Sequence, residues 1–171
     1  LAAVILGEGE SSRLYQRLVR SEGSAQSVSV WTNDQRGPDL FAVQAILSEH
    51  GKLPEVKKAI DAELAKLAGT PPTTAELYKA KTLISSDFVF GLESNLHRAT
   101  ELGEFELFWG DARLLSTEVS RYRAVTAAEV EGAVKKYLTT DTSSTVDVLP
   151  QTSETGTAGP PGAHPTKPAG K

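Results

Sequence analysis

The opening segment constrains the fold more than any other part of the chain. Leu1-Ala2-Ala3-Val4-Ile5-Leu6 is an unbroken apolar run, and Gly7-Glu8-Gly9-Glu10 stops it. The run reads as the second half of a buried helix, ending near residue 7. Ser11 or Ser12 then offers a hydroxyl to cap a second helix. Leu14, Leu18 and Val19 supply that helix with an apolar stripe at i, i+4 spacing. Glu22-Gly23 ends it. In residues 25–32, Val28 and Val30 alternate with Ser27, Ser29 and Trp31, the period of a half-buried strand.

Asn33 to Asp39 is turn chemistry, and Phe41, Val43, Ala45 and Leu47 alternate again. An antiparallel hairpin with a long loop is the simplest pairing. Pro54 suits a helix start, and Val56, Ile60, Leu64 and Leu67 give that helix an apolar face. Lys57, Lys58, Asp61 and Lys66 fall outside it. Thr73-Thr74-Ala75-Glu76 and Thr126-Ala127-Ala128-Glu129 are two capping boxes, each opening a helix. The first helix bends near Gly91 and ends near Gly103 or Gly110. A further helix is expected over 112–123, and the one opened at Thr126 ends at Tyr137-Leu138. Thr145 to Leu149 reads as a last short strand. Residues 151–171 hold four Pro and four Gly with no large apolar residue, so a disordered tail is expected. Helices and strands mix without regular alternation, which argues α+β, with an antiparallel sheet covered on one face by helices.

A chain of 171 residues is long enough for one domain, here 1–150, burying roughly 70% of its unfolded surface. The net charge of −4, without a basic block, argues against nucleic acid as a partner. No apolar run reaches membrane-span length. Cys is absent, which excludes disulfides and thiolate zinc sites and leaves the compartment open.

Four segments, in order, resemble the insulinase/pitrilysin family of zinc metallopeptidases. Ile5 to Arg20 is similar to its "ILGGG-SSRLYQRLRE" stretch, and the hairpin follows. Thr74-Ala75-Glu76-Leu77-Tyr78-Lys79-Ala80-Lys81 resembles "T-x-x-E-L-x-x-A-K". Val125 to Val130, leading to Lys136-Tyr137-Leu138, resembles "VTAEDV…KKYL". The family's zinc signature, His-x-x-Glu-His on one helix, binds metal and activates water. His50, His97 and His164 do not form it. The resemblance therefore implies the metal-free C-terminal half, shortened at its start, with no metal ligand and no catalytic residue of its own. It implies zinc in a homologous partner half, in the same polypeptide or a separate subunit, and a peptide substrate between the halves.

In such halves an Arg after "RL" and a Tyr seven residues on contact the substrate backbone, where hydrogen bonds stabilise developing charge. Those positions hold Val19 and Gln26 here. Gln26 can donate to a carbonyl; Val19 has no donor. Arg20 lies one residue out of register, about 100° round an ideal α-helix. Val19, Arg20 and Gln26 are thus the candidate substrate-binding residues. Two alternatives stay open: an inactive assembly subunit of the same fold, and a peptide-binding module.

Other clusters read more simply. Gly7 to Glu10 lacks the Lys-Ser/Thr of a phosphate loop and is an interhelix turn. Glu8, Glu10 and Glu22 are expected in solvent rather than on a metal, His50 at the surface, and His97 in packing or solvent rather than on a metal. Glu101, Glu104, Glu106 and Asp111 surround Phe105, Phe108 and Trp109, as a helix end with core aromatics or as a docking patch. Arg121-Tyr122-Arg123 fits the polar side of a helix better than a substrate clamp.

Overall fold

The computed structural model describes residues 1–33, 37 and 39–149. The expected tail and most of the Asn33–Asp39 turn lie outside these. The apolar start forms α1 (Ala2–Gly7), and the second helix runs into β1 (Ala25–Thr32). Then come β2 (Phe41–Leu47), α2 (Leu53–Gly69), α3 (Thr74–Gly91) and α4 (Asn95–Trp109). A 3₁₀ turn (Ala112–Thr117) leads into α5 (Glu118–Ala124), and α6 (Ala127–Tyr137) follows.

β1 and β2 pair antiparallel, as the alternation predicts, from Thr32 opposite Phe41 to Ala25 opposite Leu47. One face of this sheet is covered. Val28 and Val30 point into the core, while Ser29 and Trp31 stay exposed. Leu6, Leu14, Leu18, Val56, Leu67 and Val134 meet those valines in one apolar cluster, so α1, α2 and α6 all contribute. At the end of α1 the approach to β1 is tight: a Cβ on Gly7 would meet the Val30 backbone nitrogen at 2.8 Å. The glycine there follows from packing, not from a phosphate loop.

The local signals that use neighbouring residues hold. Thr73 accepts from the Glu76 N–H at 3.2 Å, and the Glu76 carboxylate accepts from the Thr73 N–H at 2.8 Å. Thr126 and Glu129 repeat this at 3.2 and 2.7 Å. Thr126→Ala is expected to cost about 1 kcal/mol, lowering Tm by roughly 2–4 °C in a domain of this size; thermal unfolding followed by circular dichroism checks it.

Five expectations are corrected. The stretch read as one helix bent near Gly91 is two, α3 and α4, because Ser94 caps a new helix by accepting from His97 N–H at 3.4 Å. The second helix is π-wound over Tyr15–Ser21. Its serine does not cap by accepting: the buried Ser12 hydroxyl donates to the Gly9 carbonyl at 2.7 Å. Residues 112–123 divide into the 3₁₀ turn and α5, because Asp111 tightens the first turn by accepting from Arg113 N–H at 2.9 Å. Residues 145–149 form no strand. Val146 and Val148 have the right alternation but are 86% and 90% exposed, with no strand beside them among the described residues. Asp147 instead pairs with Lys57 at 2.8 Å, which draws Lys57 half out of solvent.

Candidate functional site

Val19, Arg20 and Gln26 sit where the π segment passes into β1. The winding there is wide: Glu22 N–H donates five residues back to the Arg17 carbonyl at 2.9 Å. That spacing lowers the angular step per residue below the α-helical value, so Arg20 stands closer to the direction of Val19 than an α-helix would place it. The turn is fastened on all sides. Ser24 N–H donates to Leu18 O at 2.9 Å, Ser48 N–H to Ser24 O at 3.1 Å, and Ser48 Oγ to Gly23 O at 2.6 Å.

β1 begins with an irregularity. Ala25 faces Leu47 and Ser27 faces Ile46, so Gln26 is an extra residue without a partner across the ladder. Such bulges re-aim a side chain and bend the strand. Gln26 is exposed, as is Arg20; Val19 is half-buried and packs against the main core. Gln26 therefore presents its amide to solvent and Arg20 its cation, whereas Val19 serves packing. β1 also has one edge with no strand beside it among the described residues.

Beneath the turn lies an ionic scaffold that the sequence reading missed. Arg17 reaches Glu22 at 2.8 Å, Glu63 at 3.2 Å and the Ala59 carbonyl at 3.3 Å, joining the π segment to α2. Arg13 grips Glu76 with two bonds, at 2.6 and 2.9 Å, joining it to α3. The Arg13 guanidinium, with help from Thr73, holds the Glu76 carboxyl down at about 2. Glu22 and Glu63 in turn raise the Arg17 pKa. Glu63 is 9% exposed on the side of α2 that also carries Val56 and Leu67. The available signal was Arg13 and Arg17 at i, i+4, beside an otherwise apolar stripe.

The donor set does not fit zinc. Among the described residues, no three His, Asp or Glu side chains gather as metal ligands would. His50 is exposed, and His97 lies 3.7 Å from Glu101 without a third donor. The remaining clusters resolve into local contacts. Glu8 and Glu10 are exposed, and the Glu8 carbonyl accepts from Lys79 at 2.9 Å. Glu106 accepts from Ala112 N–H at 3.0 Å, and Asp111 holds Arg113. Phe105 is buried, but Trp109 is 64% exposed rather than in the core. Arg121 pairs with Glu118 at 2.8 Å.

Residues 1–84 match the family model described as the peptidase M16 inactive domain. Through its first half the chain is thus similar to peptidase M16 inactive domains. The resemblance read from the opening segment is thereby borne out. An uncharacterized zinc protease of Mycobacterium tuberculosis is 33% identical over 138 residues, covering 78% of this chain and 30% of that protein. One from Mycobacterium leprae is 30% identical over the same shares. The solved inactive peptidase domain of a Bordetella parapertussis protein, named for zinc protease activity, superposes with TM-score 0.72. It is 27% identical, with 82% of this chain and 74% of that one covered. The chain spans about 30% of the length of the curated relatives it matches.

Proposed function

We propose that this domain closes a peptide-binding chamber against a zinc-bearing homologous half and is itself non-catalytic. The observation that carries the reading is the bulge at Gln26. It presents an exposed amide at the start of a strand whose outer edge has no strand partner among the described residues. A peptide laid along such an edge gains backbone hydrogen bonds with little sequence preference. Gln26 then donates to one peptide carbonyl and Arg20 supplies positive charge nearby. Zinc and the water-activating carboxylate belong to the other half. The assembly-subunit alternative draws support from Val19, whose packing role leaves one of the two substrate-contacting positions without a donor.

The purified chain is expected to cleave no fluorogenic peptide and to retain no stoichiometric zinc after dialysis, measured by atomic emission. Mixed with the zinc-bearing half of its own protein, it is expected to restore hydrolysis. In that mixture Gln26→Ala is expected to raise KM about fivefold, the loss of one hydrogen bond. Metal-dependent cleavage by the chain alone overturns the proposal. Full activity of the zinc-bearing half without this chain does so equally.

A further inference from the structure

α4 is apolar on two sides. Its inner side is set by Phe105, which is buried, with Phe108 half-buried beside it. Leu96, Ala99, Gly103 and Leu107 follow one another at spacings of three or four residues, so they form a second stripe, on the outer side of the helix. All four are exposed, Leu96 at 79% and Leu107 at 69%. A surface helix ordinarily turns charged residues to that side. Apolar surface left there in water carries a cost that a partner removes.

Two observations define what covers the stripe. The first is Gly103, near its middle. Glycine is the poorest helix former after proline, and the fold makes no use of it here: a Cβ added to Gly103 would meet nothing within 4 Å. The glycine leaves a notch in which another backbone can come close. Leu96 and Leu107 wall that notch, about 16 Å apart along the helix axis at 1.5 Å per residue. A helix about 10 Å across fits between them. The second observation is charge. Glu104 flanks the stripe on one side and Glu106 on the other, and both are exposed. The nearby cations are engaged: Arg98 lies on the far side of α4, bonded to Asn95 at 2.6 Å, and Arg113 is held by Asp111. A helix crossing at Gly103 passes over both carboxylates, so complementarity asks it for positive charge. A second copy of this chain does not supply it, because α4 crossing α4 there sets Glu104 and Glu106 against like charges. An anionic membrane surface does not supply it either.

We propose that α4 docks a cationic amphipathic helix of a partner protein, seated across Gly103 between Leu96 and Leu107. Apolar side chains of that helix meet the two leucines and Ala99, and its Lys or Arg residues pair with Glu104 and Glu106. Spaced apolar anchors of this kind are how one helix recognises another. The site uses no residue of the β1 edge and does not depend on the chamber reading.

The test is an NMR titration of the full chain with acetyl-Lys-Leu-Ala-Lys-Leu-Ala-Lys-Lys-Leu-Ala-Lys-Leu-Ala-Lys-amide, and with the same peptide carrying Glu for every Lys. The Lys peptide is expected to shift backbone resonances of α4, centred on Gly103, with the Glu peptide about tenfold weaker. Gly103→Leu fills the notch with a better helix former, so it is expected to raise Tm while weakening the Lys peptide about tenfold. A glycine with a purely structural role would not separate those two effects. Glu104→Lys is expected to weaken the Lys peptide about fivefold with the circular dichroism spectrum unchanged. Equal binding by Gly103→Leu overturns the proposal, as do equal binding of the two peptides and an absence of shifts on α4. Shifts on α4 that grow with the concentration of the chain alone overturn it in favour of a second copy. Shifts there with phosphatidylglycerol vesicles but not with the Lys peptide overturn it in favour of a lipid surface.

Discussion

Glu76→Ala is expected to lower stability by about 3 kcal/mol, which lowers Tm by roughly 6–12 °C. Two losses combine. The helix α3 loses the carboxylate half of its capping box, and Arg13 loses its only bidentate partner among the described residues. The Arg13 side chain is 12% exposed and already carries one buried nitrogen without a partner, so removing Glu76 leaves most of a guanidinium poorly solvated. Breaking a buried pair from one side is costly for that reason. The pH dependence gives an independent check. Glu76 titrates at about 2 in the fold against an ordinary 4.5. The unfolded chain therefore takes up the proton first as pH falls. The contribution is complete above about pH 5 and fades as pH drops toward about 2, on the order of 3 kcal/mol in all. Urea unfolding of the native chain and of Glu76→Ala should show a gap that narrows steadily over that window. A gap that stays constant with pH would mean the carboxylate is not held by Arg13.

Gly51→Ala is expected to cost about 3 kcal/mol, the upper part of the range for an added methyl with nowhere to go. Its Cβ would overlap the Ser24 carbonyl oxygen and sit 3.2 Å from the Leu47 Cβ. Neither neighbour can yield. Ser24 is held from both sides by Leu18 and Ser48, and Gly51 itself donates to the Ser48 carbonyl at 3.0 Å. Because Ser24 precedes β1, the same substitution should disturb the strand that carries Gln26, visible as loss of amide-exchange protection from residue 25 onward. Gly69→Ala serves as the comparison: nothing lies within 4 Å of its added Cβ. It is expected to be neutral or stabilising by about 0.5 kcal/mol, through the entropy of the unfolded chain.

What the sequence made legible is what neighbouring residues decide among themselves. Thr73 with Glu76, and Thr126 with Glu129, need only three residues' separation, and both boxes form as read. The hairpin followed from alternation, since one wet and one dry face demand a period of two. Distant residues decided the rest. The π winding of Tyr15–Ser21 comes with Arg13 held to α3 and Arg17 to α2 at the same time, a constraint invisible in the local pattern. Glu63 looked like any helix carboxylate until Arg17 lay against it. Residues 145–149 carried the pattern of a strand without a neighbour to complete it. At the candidate site, the family segment led to Gln26 and Arg20. The bulge that singles out Gln26 needed β2 in place before it existed.

The irregularity at Gln26 has a meaning for how this strand tolerates change. Ala25 and Val28 both face inward, although they are separated by an odd number of steps. Without Gln26 the count becomes even, and Ala25, Ser27, Val28 would run in, out, in as a plain pleat does. The core has no need of this residue; it is surplus to the rhythm that fills the interior. A chain lacking Gln26 would keep every inward side chain of β1 inward, so the interior itself tolerates the loss.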